Sequence, residues 1–364
     1  MKVLLLGFGK IAYMPYMHFY LDLLSKNSDN RIELLYWDRD GKKDAPVPVC
    51  IDCVYKFEKH LEEQLSFRRK LKYFAAYRRY ALKVLRENTY DYIVVLHTTP
   101  GLTLLDYLFT YYRGRYVLDF RDVSYEYIPI YKKLVGILAK NSGLTYVSSD
   151  AFRKFLPTSV KALTIHNYLE DSLFWKGCGC ANIKQKPLKI CFWGLVRKIQ
   201  PNRMLIDALG NDPRYELHYY GRMQQEGRDM EEYVANKRYA NVYFHGAYLP
   251  NDRYMFAAET NIIHNVYDDR HTSGNAMGNK YYDGIIFEIP QLCTKNTHMG
   301  TLCEQEGVGL AIDLSSRTIA DDIWDYYTKL DRESFKEACK VSVEKVLFEQ
   351  NEAKRAFLNF LNAR

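Results

Sequence analysis

The chain has 364 residues, 48% hydrophobic and 26% charged, with a net charge of +7. That is long enough for two ordinary domains and too apolar for a disordered chain. No apolar run approaches the roughly 18 residues of a membrane-spanning helix. The segment Met1-Lys2-Val3-Leu4-Leu5-Leu6-Gly7 lacks a signal-peptide cleavage pattern, so a cytosolic location is expected. Cys50-Ile51-Asp52-Cys53 and Cys178-Gly179-Cys180 invite comparison with two halves of a zinc site. The second pair lacks the usual two-residue spacer, and the pairs sit far apart in sequence, so the expectation is reduced, unrelated thiols and no metal. The charge is uneven. Residues 1–175 carry 26 Lys and Arg against 19 Asp and Glu, whereas residues 176–364 carry 25 against 25. A basic half beside a neutral one predicts an anionic partner for the first half.

In chain order, Lys2–Leu6 reads as an apolar strand ending in Gly7-Phe8-Gly9. Arg31–Trp37, Tyr92–Leu96, Tyr116–Phe120 and Leu144–Val147 are further strands, with helical patterns between them. This alternation predicts a parallel, doubly wound sheet over residues 1–175. Residues 176–187, with Gly179 and Lys184-Gln185-Lys186-Pro187, read as a linker. The rhythm restarts at Leu188–Trp193 and continues through Glu216–Tyr220, Asn241–Phe244, Asn261–Ile263, Gln291–Cys293 and Gly309–Ile312. A second domain of the same class is therefore expected over 188–330. Helices over 331–364 could pack back on the first domain. Two such domains in tandem place a cleft between their C-terminal strand ends, where ligands bind in open α/β sheets.

Gly7-Phe8-Gly9-Lys10-Ile11-Ala12 matches G-x-G-x-x-A, and the second strand ends in Trp37-Asp38, where a dinucleotide enzyme places its ribose-binding acid. The motif is short and permissive. It fits an NAD site, a loop that faces a sugar phosphate through Gly9, or a plain turn.

The second half narrows the choice. Gly278-Asn279-Lys280-Tyr281-Tyr282-Asp283, followed by an apolar segment and Pro290, resembles the nucleotide-sugar motif of retaining GT-B glycosyltransferases. Ile190–Gly194 with Leu205–Leu209, Tyr219–Arg222, Asn241–Gly246 and Gly307–Asp313 are similar, in order and spacing, to the donor domain of glycosyltransferase family 4. The resemblance covers about 125 residues and implies a GT-B fold, two Rossmann-like domains facing across a cleft. It also implies a hexosyltransferase that uses a UDP- or GDP-sugar without a metal or other cofactor. Gly194, Gly246, Asn275, Lys280 and Asp283 would lie on the donor. A carboxylate accepts two hydroxyl hydrogens at once, so Asp283 suits the ribose diol. The family's two glutamates are here Asn275 and Asp283. Its two diphosphate cations are replaced by Leu195 and Gln200, which leaves Arg197 first and Lys198 second as candidates to meet the leaving diphosphate.

In the first half, Tyr92–His97 resembles the family's strand that ends in a cleft-facing His, with a structural His as the other reading. Asp119, Arg121 and Asp122 resemble its D-x-R-D segment and would either shape the acceptor site or form a buried salt bridge. Between Leu65 and Arg86 lie Arg68, Arg69, Lys70, Lys72, Arg78, Arg79, Lys83 and Arg86 without an acid. Phe67, Leu71, Phe74, Leu82 and Leu85 give an apolar stripe broken at Arg78. Such a helix suits an anionic membrane surface, with an ordinary surface helix as the plainer reading; no nucleic-acid module appears. The combined expectation is transfer to a lipid-linked saccharide on the inner membrane face, in capsule or other cell-surface polysaccharide assembly. A GT-B epimerase, an NAD-dependent oxidoreductase and a non-catalytic GT-B subunit are the alternatives.

Overall fold

A computed structural model describes residues 1–61, 66–179, 187–197, 199–268 and 274–363. They form two compact units, residues 1–166 with 348–364, and residues 167–347. The first unit holds a seven-stranded parallel sheet of β1 (Lys2–Leu6), β2 (Arg31–Asp38), β3 (Cys53–Glu58), β4 (Tyr92–Leu96), β5 (Tyr116–Phe120), β6 (Leu144–Val147) and β7 (Ala162–Thr164). Their spatial order is β3-β2-β1-β4-β5-β6-β7. The reversal of strand order falls between β1 and β4, where loops splay apart and leave room for a ligand. Strands β1, β4 and β5 are apolar on both faces because helices cover both, so they read as continuous buried runs. The edge strands β3 and β7 lack that run, which hid them from the sequence pattern.

The second unit holds a six-stranded parallel sheet of β8 (Leu188–Trp193), β9 (Tyr215–Tyr220), β10 (Val242–Gly246), β11 (Ile262–Asn265), β12 (Gln291–Thr294) and β13 (Gly309–Ile312). Their order is β10-β9-β8-β11-β12-β13. Two doubly wound parallel sheets in one chain are the expected fold class.

The unit boundary falls at Asn167 rather than near 176. The segment after it is tied into the second unit, with Gly177 N–H donating to Ile286 O (2.9 Å) and Gly179 N–H to Phe287 O (2.8 Å). Residues 180–186 of the expected linker lie outside the described residues. At the other end, the expected domain limit at 330 moves to Leu347, and the helix Arg332–Asn362 divides between the units at Phe348. Ala353, Phe357 and Leu361 join the apolar core of the first unit, beside Val3, Leu34 and Val94.

Candidate functional site

At the β1/β4 reversal the first unit encloses a cavity of about 240 Å³. Gly9, Tyr16, Arg39, Lys70, His97 and Tyr125 are among its lining residues. The chain builds it from strand ends. His97 follows β4 directly and takes φ +103°, a left-handed backbone that a β-carbon disfavours. It is held there because its own N–H donates to Asp119 O (2.8 Å) and its Nδ1 accepts from Thr99 N–H (3.2 Å), capping the helix Thr98–Thr103. That acceptor role fixes the proton on Nε2. Burial, then the nearby Arg39 charge, holds the imidazole down to about 4, so it is neutral at physiological pH. Glu126, outside the lining, accepts from Thr98 Oγ1 (2.7 Å) and from the backbone N–H groups of the lining residues Ser124 and Tyr125.

Arg39, one residue past β2, was not singled out from the sequence. Its guanidinium carbon lies 4.5 Å above the Phe8 ring and 4.9 Å above the Trp37 ring, and Nη2 donates to Phe8 O. Its Nε is buried with no hydrogen-bond partner. Burial pulls its pKa down to about 10, and no carboxylate offsets that pull.

The neighbouring acids are engaged elsewhere. Asp38 lies 3.5 Å from the Lys10 ammonium and 3.2 Å from Lys56, and it accepts from Gly41 N–H (3.0 Å). Asp40 pairs with Lys10. The carboxylate that an NAD ribose needs is therefore occupied by a Lys pair, and the glycine loop leads into two three-residue turns rather than a long helix. Both features disfavour the dinucleotide reading.

In the second unit, Gly194 (φ +134°) and Gly221 (φ +150°) carry the chain away from β8 and β9. A β-carbon on Gly221 would stand 1.6 Å from Gly194 O, so only glycine fits there. The helix Asn279–Phe287 packs against β12 through Gly284, whose missing side chain makes room for Gln291. Glu288 ends the helix in the left-handed region (φ +58°), two residues before Pro290.

Asp283 is 4% exposed. Its Oδ2 accepts from Trp193 Nε1 (2.8 Å), and its Oδ1 faces Arg253 at 3.8 Å. Arg253 also donates to Ser172 Oγ (2.7 Å) and Tyr254 OH (3.0 Å). Burial pushes the Asp283 carboxyl up, against the pull of Arg253 and the indole. Asp283, expected at the donor ribose, ties together Trp193 and Arg253 in this structure.

Lys280 is also buried. Its ammonium lies 4.0 Å above the Phe192 ring centroid and donates to Tyr267 OH (2.5 Å). His264 at the end of β11 accepts from Val266 N–H at Nδ1 (3.1 Å) and meets Asn202 Oδ1 at Nε2 (2.9 Å). Asn275 is half-buried just before the helix, Gly246 ends β10 at φ +76°, and Arg197 is exposed after β8. Lys198 and residues 269–273 lie outside the described residues.

Asp119 and Arg121 are fully buried and paired at 2.7 Å, with Tyr20 OH donating to Asp119 (2.8 Å). They are the structural salt bridge of the two expected readings and underlie the strand end; Asp122 is exposed.

The basic helix spans Phe67–Glu87, but its packed face is Tyr77, Ala81, Val84 and Leu85, while Leu71 is exposed. The stripe expected from the sequence is one step off, because Tyr77 turns inward to donate to Gly7 O (2.7 Å). Arg78 forks onto Asp106 (2.7 and 2.8 Å) and Thr103 O, and Lys70 lines the cavity, so neither belongs to an outer charged face. Arg68, Arg69, Lys72, Arg79, Lys83 and Arg86 are exposed. No described helix is long and apolar enough to cross a membrane. Cys50 and Cys53 are free thiols and Cys178 is half-buried; Cys180 lies outside the described residues. No group of metal-ligating side chains occurs among the described residues.

No protein-family profile matches the sequence, and no curated protein matches it. Solved structures do. Anabaena Alr3699/HepE in complex with UDP aligns over 99% of this chain and 100% of its own, at TM-score 0.70 and 14% identity. Sucrose-phosphate synthase from Thermosynechococcus elongatus aligns over 98% and 99%, at TM-score 0.70 and 10% identity. An Escherichia coli trehalose-6-phosphate protein bound with UDP-2-fluoro glucose aligns over 99% and 98%, at TM-score 0.67 and 11% identity. The fold is GT-B.

Proposed function

We propose that this GT-B chain is a retaining glycosyltransferase that moves a hexosyl group from a UDP- or GDP-sugar to a lipid-linked saccharide during cell-surface polysaccharide assembly. The observation that carries the reading is the full-length likeness to Anabaena HepE, solved with UDP and with UDP-glucose. A likeness to the lipopolysaccharide outer core galactosyltransferase WaaB, at TM-score 0.62 and 9% identity over 100% of this chain, supports the acceptor class. The exposed cations of the helix Phe67–Glu87 support a place against anionic lipid.

In this reading the second unit holds the nucleotide sugar. Gly194, Gly246, Asn275 and Lys280 line its site, and Asp283 positions Trp193 and Arg253 beneath it. The bond between the anomeric carbon and the diphosphate breaks, and the leaving nucleotide diphosphate keeps the electron pair. The acceptor hydroxyl forms the new bond on the same face, and its proton passes to the departing phosphate oxygen. Arg197, with Lys198, offsets the charge that builds on the diphosphate. His97, neutral with its proton on Nε2, donates to a sugar hydroxyl. The reaction uses no metal.

The test is binding and transfer with UDP- and GDP-sugars in the presence of a chelator. Arg197→Ala should lower turnover about a hundredfold or more while leaving the unfolding transition in place. No binding of any nucleotide sugar, or strict dependence on Mg²⁺ or Mn²⁺, would overturn the reading. Release of a rearranged free nucleotide sugar without acceptor would replace it with the epimerase.

A further inference from the structure

The first unit contains a half-buried cation whose guanidinium Nε is buried and which no described carboxylate pairs. Arg39 meets two aromatic faces and one carbonyl, and no carboxylate pairs with it among the described residues. Among the described residues the acids that end or follow β2 are already engaged: Asp38 and Asp40 by Lys10, and Asp44 by the backbone N–H groups of Ile11 and Ala12 (3.2 and 3.0 Å). The cavity it lines has no acidic residue among its described walls, and it holds a second cation, Lys70, for which no side-chain partner occurs among the described residues. Withdrawing a guanidinium even partly from water without a counter-charge is costly. Leaving one at a strand end, beside a backbone strained at His97, trades stability for binding.

We propose that Arg39 and Lys70 form an anion subsite that grips a phosphate or carboxylate group on the acceptor saccharide. A guanidinium offers paired N–H groups in one plane, which match two oxygens of such a group. The rest of the wall suits the attached sugar. Tyr16 and Tyr125 give aromatic surface and hydroxyls, Thr99 Oγ1 sits 3.2 Å from Tyr131 OH, and the His97 Nε2–H is a neutral donor. The subsite therefore selects an acidic acceptor, such as a sugar phosphate or a uronic acid, over a neutral one. This inference rests on the reading of the first unit as the acceptor half, not on the identity of the donor.

The test is calorimetric titration of the intact protein with glucose, glucose 6-phosphate and glucuronate, alongside UDP. Wild type should bind one of the two acidic sugars at least about tenfold more tightly than glucose, the size expected of a charge-assisted hydrogen bond. Arg39→Met should erase that preference, Arg39→Lys should keep part of it, and both should retain wild-type affinity for UDP. Because Arg39→Met removes a half-buried cation and leaves no charged partner behind, the variant should fold; if it does not, Lys70→Ala carries the same test with a smaller loss. Equal affinity for the acidic and neutral sugars, or no binding of any of them, would overturn the proposal. So would an Arg39→Met variant that loses UDP affinity while keeping the acidic preference, since the cation would then serve the donor diphosphate. Vesicles of phosphatidylglycerol separate the remaining source. Binding to them should be the same in wild type and Arg39→Met, and an Arg39-dependent loss would assign the subsite to a lipid headgroup instead. If UDP fails to bind wild type but the acidic preference holds, the donor reading falls and the subsite stands.

Discussion

Arg253 in the second unit is buried and Arg39 in the first is half-buried, and their surroundings are opposite. Arg253 faces the Asp283 carboxylate at 3.8 Å and donates to Ser172 and Tyr254. Arg39 has two ring faces, one carbonyl and an open cavity. The paired arginine holds the protein together; the unpaired one is held by the protein, at a cost, for something that arrives. Counter-charge, rather than burial alone, separates a structural cation from a binding one.

The largest expected effect tests that distinction directly. Asp283→Ala strands the Arg253 charge, and Asp119→Ala strands Arg121. Each should cost about 3–5 kcal/mol in urea unfolding, the usual penalty for orphaning a buried charge. Arg39→Met should cost less than about 1 kcal/mol or add stability, since no partner is left behind. A loss at Arg39 as large as at Asp283 would show that Arg39 is structural after all.

Acid should sharpen the same contrast between cations and their neighbours. Burial and the Lys280 charge hold the His264 imidazole down to about 3, far below its ordinary value near 6.5. Between those values the unfolded chain carries a proton that the folded one refuses. Stability is therefore full above about pH 6.5 and falls as pH drops toward 3. His97 adds a slope of the same sign between 6.5 and about 4. Urea midpoints should fall between pH 7 and pH 5, and His264→Gln should flatten part of that fall. An unchanged slope in the variant would mean that His264 is not the group responsible.

Much of the fold was legible because its signals are local. Lys2–Leu6, Tyr92–Leu96, Leu188–Trp193 and Gly309–Ile312 are short apolar runs closed by a polar or glycine turn, and each is a strand with those bounds. Edge strands β3 and β7 were not, since β3 is half-solvated and β7 has only three residues, so neither shows such a run. The site was legible in part. Gly9 stood out through the G-x-G-x-x-A motif and His97 through the resemblance to a strand-end His, and the structure places both at the point where strand order reverses. Arg39 closes β2 and carried the same positional signal, but the adjacent Asp38 drew the eye as a ribose ligand. That Lys10 and Lys56 would neutralise Asp38 while nothing neutralises Arg39 depends on residues brought together by folding. Asp283 was found by its motif, whereas its partner Arg253 was not, because it sits 30 residues upstream with no spacing rule linking them.

The smallest effects lie on the helix Phe67–Glu87, where the contrast repeats at the surface. Arg78 forks onto Asp106, while Arg79 beside it is exposed. Arg78→Ala should cost up to about 1 kcal/mol, since the pair is partly solvated, and Arg79→Ala close to nothing. Binding to anionic vesicles should reverse that order. Cations near such a surface contribute about 1 kcal/mol each, and only those not committed to a protein carboxylate are available to it. Neutralising Arg68, Arg69, Lys72 and Arg79 together should therefore release the protein from phosphatidylglycerol vesicles, whereas Arg78→Ala should leave it bound. Equal losses from the two changes would mean that charge count alone governs adhesion, and undiminished binding of the fourfold variant would remove this helix from the membrane.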